Sequence, residues 1–135
     1  MVLKTKSGEN IKAAQSLIDD KFYSSSIHCS YYSCLQLIKH IMIHKYGMSE
    51  DDIYWEQKSK PNENSHTYLI NFIGKKIREK SNNIEDFRET NSNLVNLKTT
   101  RNESDYQEKE IIEDISNTSL ATAKKVLSVL KRVKF

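Results

Sequence analysis

The sequence predicts an all-α fold, an antiparallel up-and-down bundle of about five helices, on three observations. Apolar residues recur at helical spacing along most of the chain. Only three glycines and one proline interrupt it, too few for a turn-rich β protein. Finally, 135 residues with 37% apolar side chains suffice for one continuous core without disulfides or a structural metal. One domain, residues 1–135 with its core over about 9–130, is expected.

The first helix, over about 8–20, places Ile11, Ala14, Leu17 and Ile18 at helical spacing. The second has Ser24, Ser25 and Ser26 as N-cap candidates. From there Ile27, Tyr31, Cys34, Leu35, Ile38, Ile41, Met42 and Lys45 trace one stripe until Gly47 ends the helix. A polar stretch between Gly47 and Ser65 holds the only proline and is long for a connection. Ile53, Tyr54 and Trp55 are expected to fold one side of it back onto the bundle, with a short helical turn at most. The third helix starts near Asn64 or Ser65 and carries Tyr68, Leu69, Phe72, Ile73 and Ile77. In the fourth, Asn82 and Glu85 form a capping box ahead of Ile84, Phe87, Leu94 and Leu97, although its ETNSN segment is a poor helix former. The fifth, over about 107–133, sets Ile112, Ile115, Ala123, Val126, Leu127, Leu130 and Val133 on one face.

Composition narrows the function classes. The longest apolar run is far shorter than a membrane span needs, and the first ten residues, MVLKTKSGEN, lack the apolar segment of a secretory signal. A cytoplasmic protein with no membrane association is therefore expected, and the sequons at Asn102 and Asn117 carry no weight. Cys29 and Cys34 stand five apart on one helix and point in different directions, so they are expected to stay thiols. The net charge of +3 is too small to imply nucleic acid by itself. The last twelve residues hold five basic side chains and no acidic one, which complements a helix C-terminus.

Residues 94–106, LVNLKTTRNESDY, are the most informative. Leu94, Leu97 and Arg101 stand at i, i+3 and i+7, so Arg101 continues an inward stripe, where its guanidinium needs a partner or a water-filled opening. Asp105, one turn on, is the local partner. The pair is open to two readings, a structural ion pair at a helix end or part of a ligand site. Ser104 with Gln107, or Asp105 with Glu108, also fits a capping box opening the last helix.

Three segments together resemble the HEPN family: SSSIHCSYYSCLQLIKHI at 24–41, Ser65-His66 opening a helix, and RNESDY at 101–106. The similarity is greatest to the small stand-alone branch often encoded beside a minimal nucleotidyltransferase, and it spans about residues 9–130. It implies a HEPN-like bundle, a homodimer, and a nucleotidyltransferase partner in a toxin–antitoxin or defence setting. In ribonucleases of that family an arginine, a following polar residue and a histidine four to six positions beyond the arginine form a metal-independent site across the dimer. Arg101 and Asn102 match the first half. Tyr106, Gln107 and Glu108 stand where the histidine belongs. A phenol titrates near 10 and is a poor base at neutral pH, so the motif is degraded and binding is favoured over cleavage.

The resulting expectation is an RNA- or nucleotide-binding module using Arg101, Asn102, Asp105, Tyr106, His66 and Tyr32. The alternatives are an active ribonuclease toxin, in which Tyr106, Asp105 or His66 supplies the missing acid or base beside Arg101 and Asn102, and a purely structural adaptor. His66 itself is either that substitute or merely the neighbour of a helix cap. Of the adjacent Tyr31 and Tyr32, one belongs to the core and the other is available to a partner helix or a nucleotide. His28 reads as a surface or capping residue. His40 and His44 have i, i+4 metal-site spacing but no accompanying carboxylate or cysteine, and they read as a solvated pair. Glu85–Asp86 and Asp51–Asp52 have no partner at ligand spacing. Neither a metal nor an organic cofactor is expected.

Overall fold

The computed structural model describes residues 2–106 and 111–135, except the side chain of Tyr106. All regular structure among them is helical: α1 (Val2–Asp19), α2 (Tyr23–Tyr46), α3 (Glu50–Lys58), α4 (Ser65–Lys80), α5 (Ile84–Tyr106) and α6 (Glu113–Arg132). The fold is a helical bundle of six helices among the described residues, rather than five. The additional one is α3, formed where the sequence suggested only a connection. Ser49 Oγ accepts from the Asp52 amide at 3.0 Å, and the Asp52 carboxylate accepts from the Ser49 amide at 2.8 Å, a capping box that nucleates the helix. Of the three apolar residues expected to fold back, only Ile53 does so. Tyr54 and Trp55 remain exposed, Trp55 to 67%.

Helix α2 is the axis of the bundle and packs against α1, α4, α5 and α6. Its expected stripe is buried from Ile27 to Met42, whereas Lys45 is exposed, because the last turn of α2 packs instead through Tyr46, whose ring meets Phe72 of α4 at 5.6 Å. Being surrounded, α2 also buries Ser26, Ser30, Ser33 and Leu37 on its other faces. The serines allow α1 to approach closely. Ser7 Oγ donates to the Ser33 carbonyl at 2.7 Å, Ser33 Oγ donates back to the Ser7 carbonyl at 2.8 Å, and Ser26 Oγ donates to the Ala14 carbonyl at 2.8 Å. Ser26 is thus committed to α1 and is no N-cap; α2 starts at Tyr23, with Phe22 in the capping position and no side-chain cap bond.

The turn into α2 closes α1 with two bonds, Phe22 N–H to the Leu17 carbonyl at 2.7 Å and Lys21 N–H to the Ile18 carbonyl at 2.9 Å. Lys21 holds φ 66° in that Schellman geometry, a conformation glycine would adopt without strain. Gly47, at φ 65°, ends α2 as its position in the sequence suggests. Helix α4 is capped by Asn64, whose Oδ1 accepts from the Thr67 amide at 2.8 Å. Gly74 faces Phe87, and a methyl group there would lie 3.3 Å from the ring, so glycine lets α4 and α5 approach. Helix α5 begins one residue later than the proposed Asn82–Glu85 box. Asn83 Oδ1 accepts from the Glu85 amide at 3.0 Å instead, and Ile84 is left exposed. Helix α5 continues unbroken through ETNSN, where burial of Thr90, Leu94 and Leu97 outweighs low local propensity. Helix α6 buries Ala123, Val126, Leu127 and Leu130 as expected, while Ile112 lies before its first turn and is exposed.

The main core joins α2, α4, α5 and α6, with Ile53 of α3 at its edge; a smaller cluster of Ala14, Ile18 and Leu120 seats α1. Among the described residues no helix is long and apolar enough to cross a membrane.

Candidate functional site

Three helices converge where the main core gives way to polar groups: α2 contributes His28, Tyr31 and Tyr32, the first turn of α4 contributes His66, and the last turns of α5 contribute Arg101, Asn102 and Asp105. Arg101 is only 9% exposed, as its place in line with Leu94 and Leu97 indicates. Its Nε lies 3.0 Å from Asp105 Oδ2, the i+4 pair. Its Nη1 donates to Asn102 Oδ1 at 3.1 Å and its Nη2 to the Tyr32 hydroxyl at 3.2 Å, with the guanidinium carbon 5.4 Å from the Tyr32 ring centre.

The Tyr32 hydroxyl is also 3.5 Å from His66 Nε2. Arg101 and His66 therefore meet at one oxygen, close enough for a single tetrahedral anion to touch both. The other ring nitrogen of His66, Nδ1, lies 3.2 Å from the hydroxyl of fully buried Tyr31. The adjacent tyrosines thus reach the same imidazole, Tyr31 from within the core and Tyr32 from its rim, and their rings pack edge-on at 5.6 Å. Burial, followed by the positive charges of Arg101, Lys98 and His28, holds His66 below the usual histidine pKa. It is neutral at pH 7, with one nitrogen donating and the other accepting. Burial pushes the Tyr31 phenol well above its ordinary range, and Arg101 partly offsets that shift.

His28, which the sequence marked only as a surface or capping residue, belongs to the cluster. It stacks on Tyr32 at 4.4 Å, and its Nδ1 approaches Asp105 Oδ2 to 3.3 Å. The signal that could have found it is its i, i+4 spacing from Tyr32 on α2. A second link missed in the sequence is Lys98 Nζ, which donates to Thr67 Oγ1 at 2.7 Å and fastens α5 to the start of α4. That start presents the positive end of a helix dipole beside Arg101 and Lys98. The cluster opens into a cleft of about 350 Å³ between α1, α2, α3 and α4, lined on one side by Tyr32, Ser65 and His66 and closed on another by Leu3 of α1.

The side chain of Tyr106 and residues 107–110 lie outside the described residues, as do the capping boxes that invoke Gln107 or Glu108. His40 and His44 face each other at 4.4 Å, far along α2 from the cluster. Among the described residues no group of three His, Cys, Asp or Glu side chains stands at metal-binding distance. Both cysteines are free thiols, and Cys34 is buried with its Sγ 3.7 Å from the Ala123 carbonyl.

In comparison with known proteins, no family model matches the chain and no curated protein matches it in sequence. The chemistry of the cluster therefore has to support any functional assignment.

Proposed function

We propose that the chain is a HEPN-like homodimeric module that binds RNA or a nucleotide through the Arg101 cluster, beside a nucleotidyltransferase partner in a toxin–antitoxin or defence setting. The observation that carries this reading is the convergence of the Arg101 guanidinium and the His66 ring on the Tyr32 hydroxyl. Asp105 takes the Nε edge of Arg101, while Nη1 and Nη2 meet the neutral acceptors Asn102 and Tyr32, which yield to a phosphate at smaller cost than a carboxylate does. Lys98 and the α4 N-terminus add positive potential without adding a base.

Binding of a labelled RNA oligonucleotide and of AMP, in wild type and Arg101→Ala, tests the proposal. Loss of a charge-assisted phosphate contact predicts about 10- to 100-fold weaker binding. Equal affinity in the two proteins would remove Arg101 from the site, and no binding of either ligand by wild type would leave a structural adaptor. The dimer is tested separately by sedimentation: a monomer at micromolar concentration rules out a site shared between subunits.

A second reading, metal-independent RNA cleavage, is favoured by one observation. The His66 ring and the Arg101 guanidinium share the Tyr32 hydroxyl, and burial lowers the His66 pKa, which favours the neutral form that a general base needs in place of the missing motif histidine. Cleavage in the presence of a chelator that is lost in both Arg101→Ala and His66→Gln would establish it. An inert wild-type protein that binds RNA supports the binding module alone.

A further inference from the structure

The cleft beside the cluster has a composition that phosphate binding does not require. Its walls are apolar, formed by Leu35 of α2, Ile53 of α3 and Leu69 of α4, with Tyr54 exposed on α3 at its rim. Two glutamines face the same space, each engaged at only one end among the described residues. Gln36 Oε1 accepts from Asn10 Nδ2 at 2.8 Å, leaving its NH₂ group unused. Gln57 Nε2 donates to the Glu63 carbonyl at 3.0 Å, leaving its carbonyl oxygen unused. The charged side chains lining the cleft, Lys39 and Glu50, pair with each other at 2.9 Å, so the slot has little net charge. The cations lie at one end, beyond Tyr32 and His66.

We propose that this cleft is a base pocket: it receives the purine or pyrimidine ring of a nucleotide whose phosphate lies against Arg101 and His66. The inference rests on the phosphate-binding reading and extends it from charge recognition to base recognition. A nucleotide has the matching layout, with a flat ring whose edge carries donors and acceptors side by side, joined through a sugar to an anion. The volume of about 350 Å³ lies in the range of pockets that enclose small ligands. Amide side chains are suited to reading a base edge because each offers a donor and an acceptor. The unused amine of Gln36 and the unused carbonyl of Gln57 together supply both kinds of contact. Tyr54, whose ring already meets the Lys58 ammonium at 5.4 Å and Trp55 edge-on at 5.1 Å, adds aromatic surface at the rim for stacking, which is tolerant of base identity, so selectivity falls to the glutamines.

The test compares AMP, CMP, GMP and UMP with ribose 5-phosphate, which has the anion and sugar but no base. At least one nucleotide should bind about tenfold more tightly than ribose 5-phosphate, and the double variant Gln36→Leu/Gln57→Leu should reduce that advantage to about twofold without weakening ribose 5-phosphate. Nucleotides that bind no more tightly than ribose 5-phosphate would overturn the base pocket while leaving the phosphate site intact. A second measurement separates the two failures. Adenosine and the other three nucleosides, at millimolar concentration, are added to Arg101→Ala protein, and the methyl resonances of Leu35, Ile53 and Leu69 are followed. A saturable shift with at least one nucleoside supports the pocket even if the phosphate reading fails. No shift with any of them, or equal shifts with N-acetyl-phenylalaninamide, overturns it by showing no base site or only a general apolar slot.

Discussion

Replacing Tyr32 by phenylalanine removes one oxygen and keeps the ring that stacks on His28. That oxygen accepts from Arg101 Nη2 at 3.2 Å and lies 3.5 Å from His66 Nε2. A hydrogen bond to a charged group contributes about 1.5–3 kcal/mol when short and buried. At 3.2 Å and with Tyr32 half-buried, water can replace part of the lost contact, so about 1 kcal/mol is expected. The longer contact to His66 adds only a few tenths of a kcal/mol. For a chain of this length a loss of about 1 kcal/mol lowers Tm by about 3–5 °C. Thermal unfolding followed by circular dichroism measures the shift, and the His66 ring resonances report whether the imidazole has lost its neighbour. A Tm within about 1 °C of wild type, with unchanged His66 resonances, would refute the view that this hydroxyl joins Arg101 to His66.

Three further outcomes are expected. Lys21→Gly relieves a left-handed residue that costs about 1–2 kcal/mol and returns part of that gain as unfolded-chain entropy, so the urea midpoint should rise by about 0.5–1 kcal/mol equivalent. A lower midpoint would contradict the Schellman geometry assigned to that turn. Ala14→Leu overpacks the serine-lined seam between α1 and α2 and should destabilise the protein by about 1–3 kcal/mol; a neutral result would show that α1 is not closely seated there. For His66, the folded pKa is depressed, so the unfolded chain takes up the proton first as pH falls. The stability linked to neutral His66 is complete above the ordinary histidine pKa of 6.5 and is lost as pH falls through it toward the lower folded value. His66→Gln should flatten the fall of urea-measured stability as pH drops below about 7; His40, lowered in the same direction, contributes to the same slope, so His66→Gln removes only part of it, and an unchanged slope in His66→Gln would refute the assignment.

Much of the fold was legible because helical periodicity is a local property. The α2 stripe, its stop at Gly47 and the inner face of α6 follow from spacing and one αL residue. The departures from simple periodicity also have local causes. Ser49 and Asp52 carried a capping signal in a polar segment too poor in apolar residues to suggest a helix. Ser26 has the residue type of a cap because a serine that caps a helix and one that lines a close helix contact are alike in sequence, while Ser24 and Ser25 lie inside α2, which starts at Tyr23. Only the partner helix distinguishes them.

The candidate site divides along the same line. The sequence by itself determined an all-α chain and an arginine that continues a buried stripe with an aspartate one turn away, because residues four apart on a helix are neighbours wherever the helix lies. What only the tertiary structure decided is the company that pair keeps. Tyr32 is 69 residues from Arg101 and 34 from His66, and His28 is 77 from Asp105. Contacts over such separations depend on how α2, α4 and α5 pack, and packing is set by the summed burial of Tyr31, Ile73, Leu94, Leu97 and their neighbours rather than by the polar residues themselves.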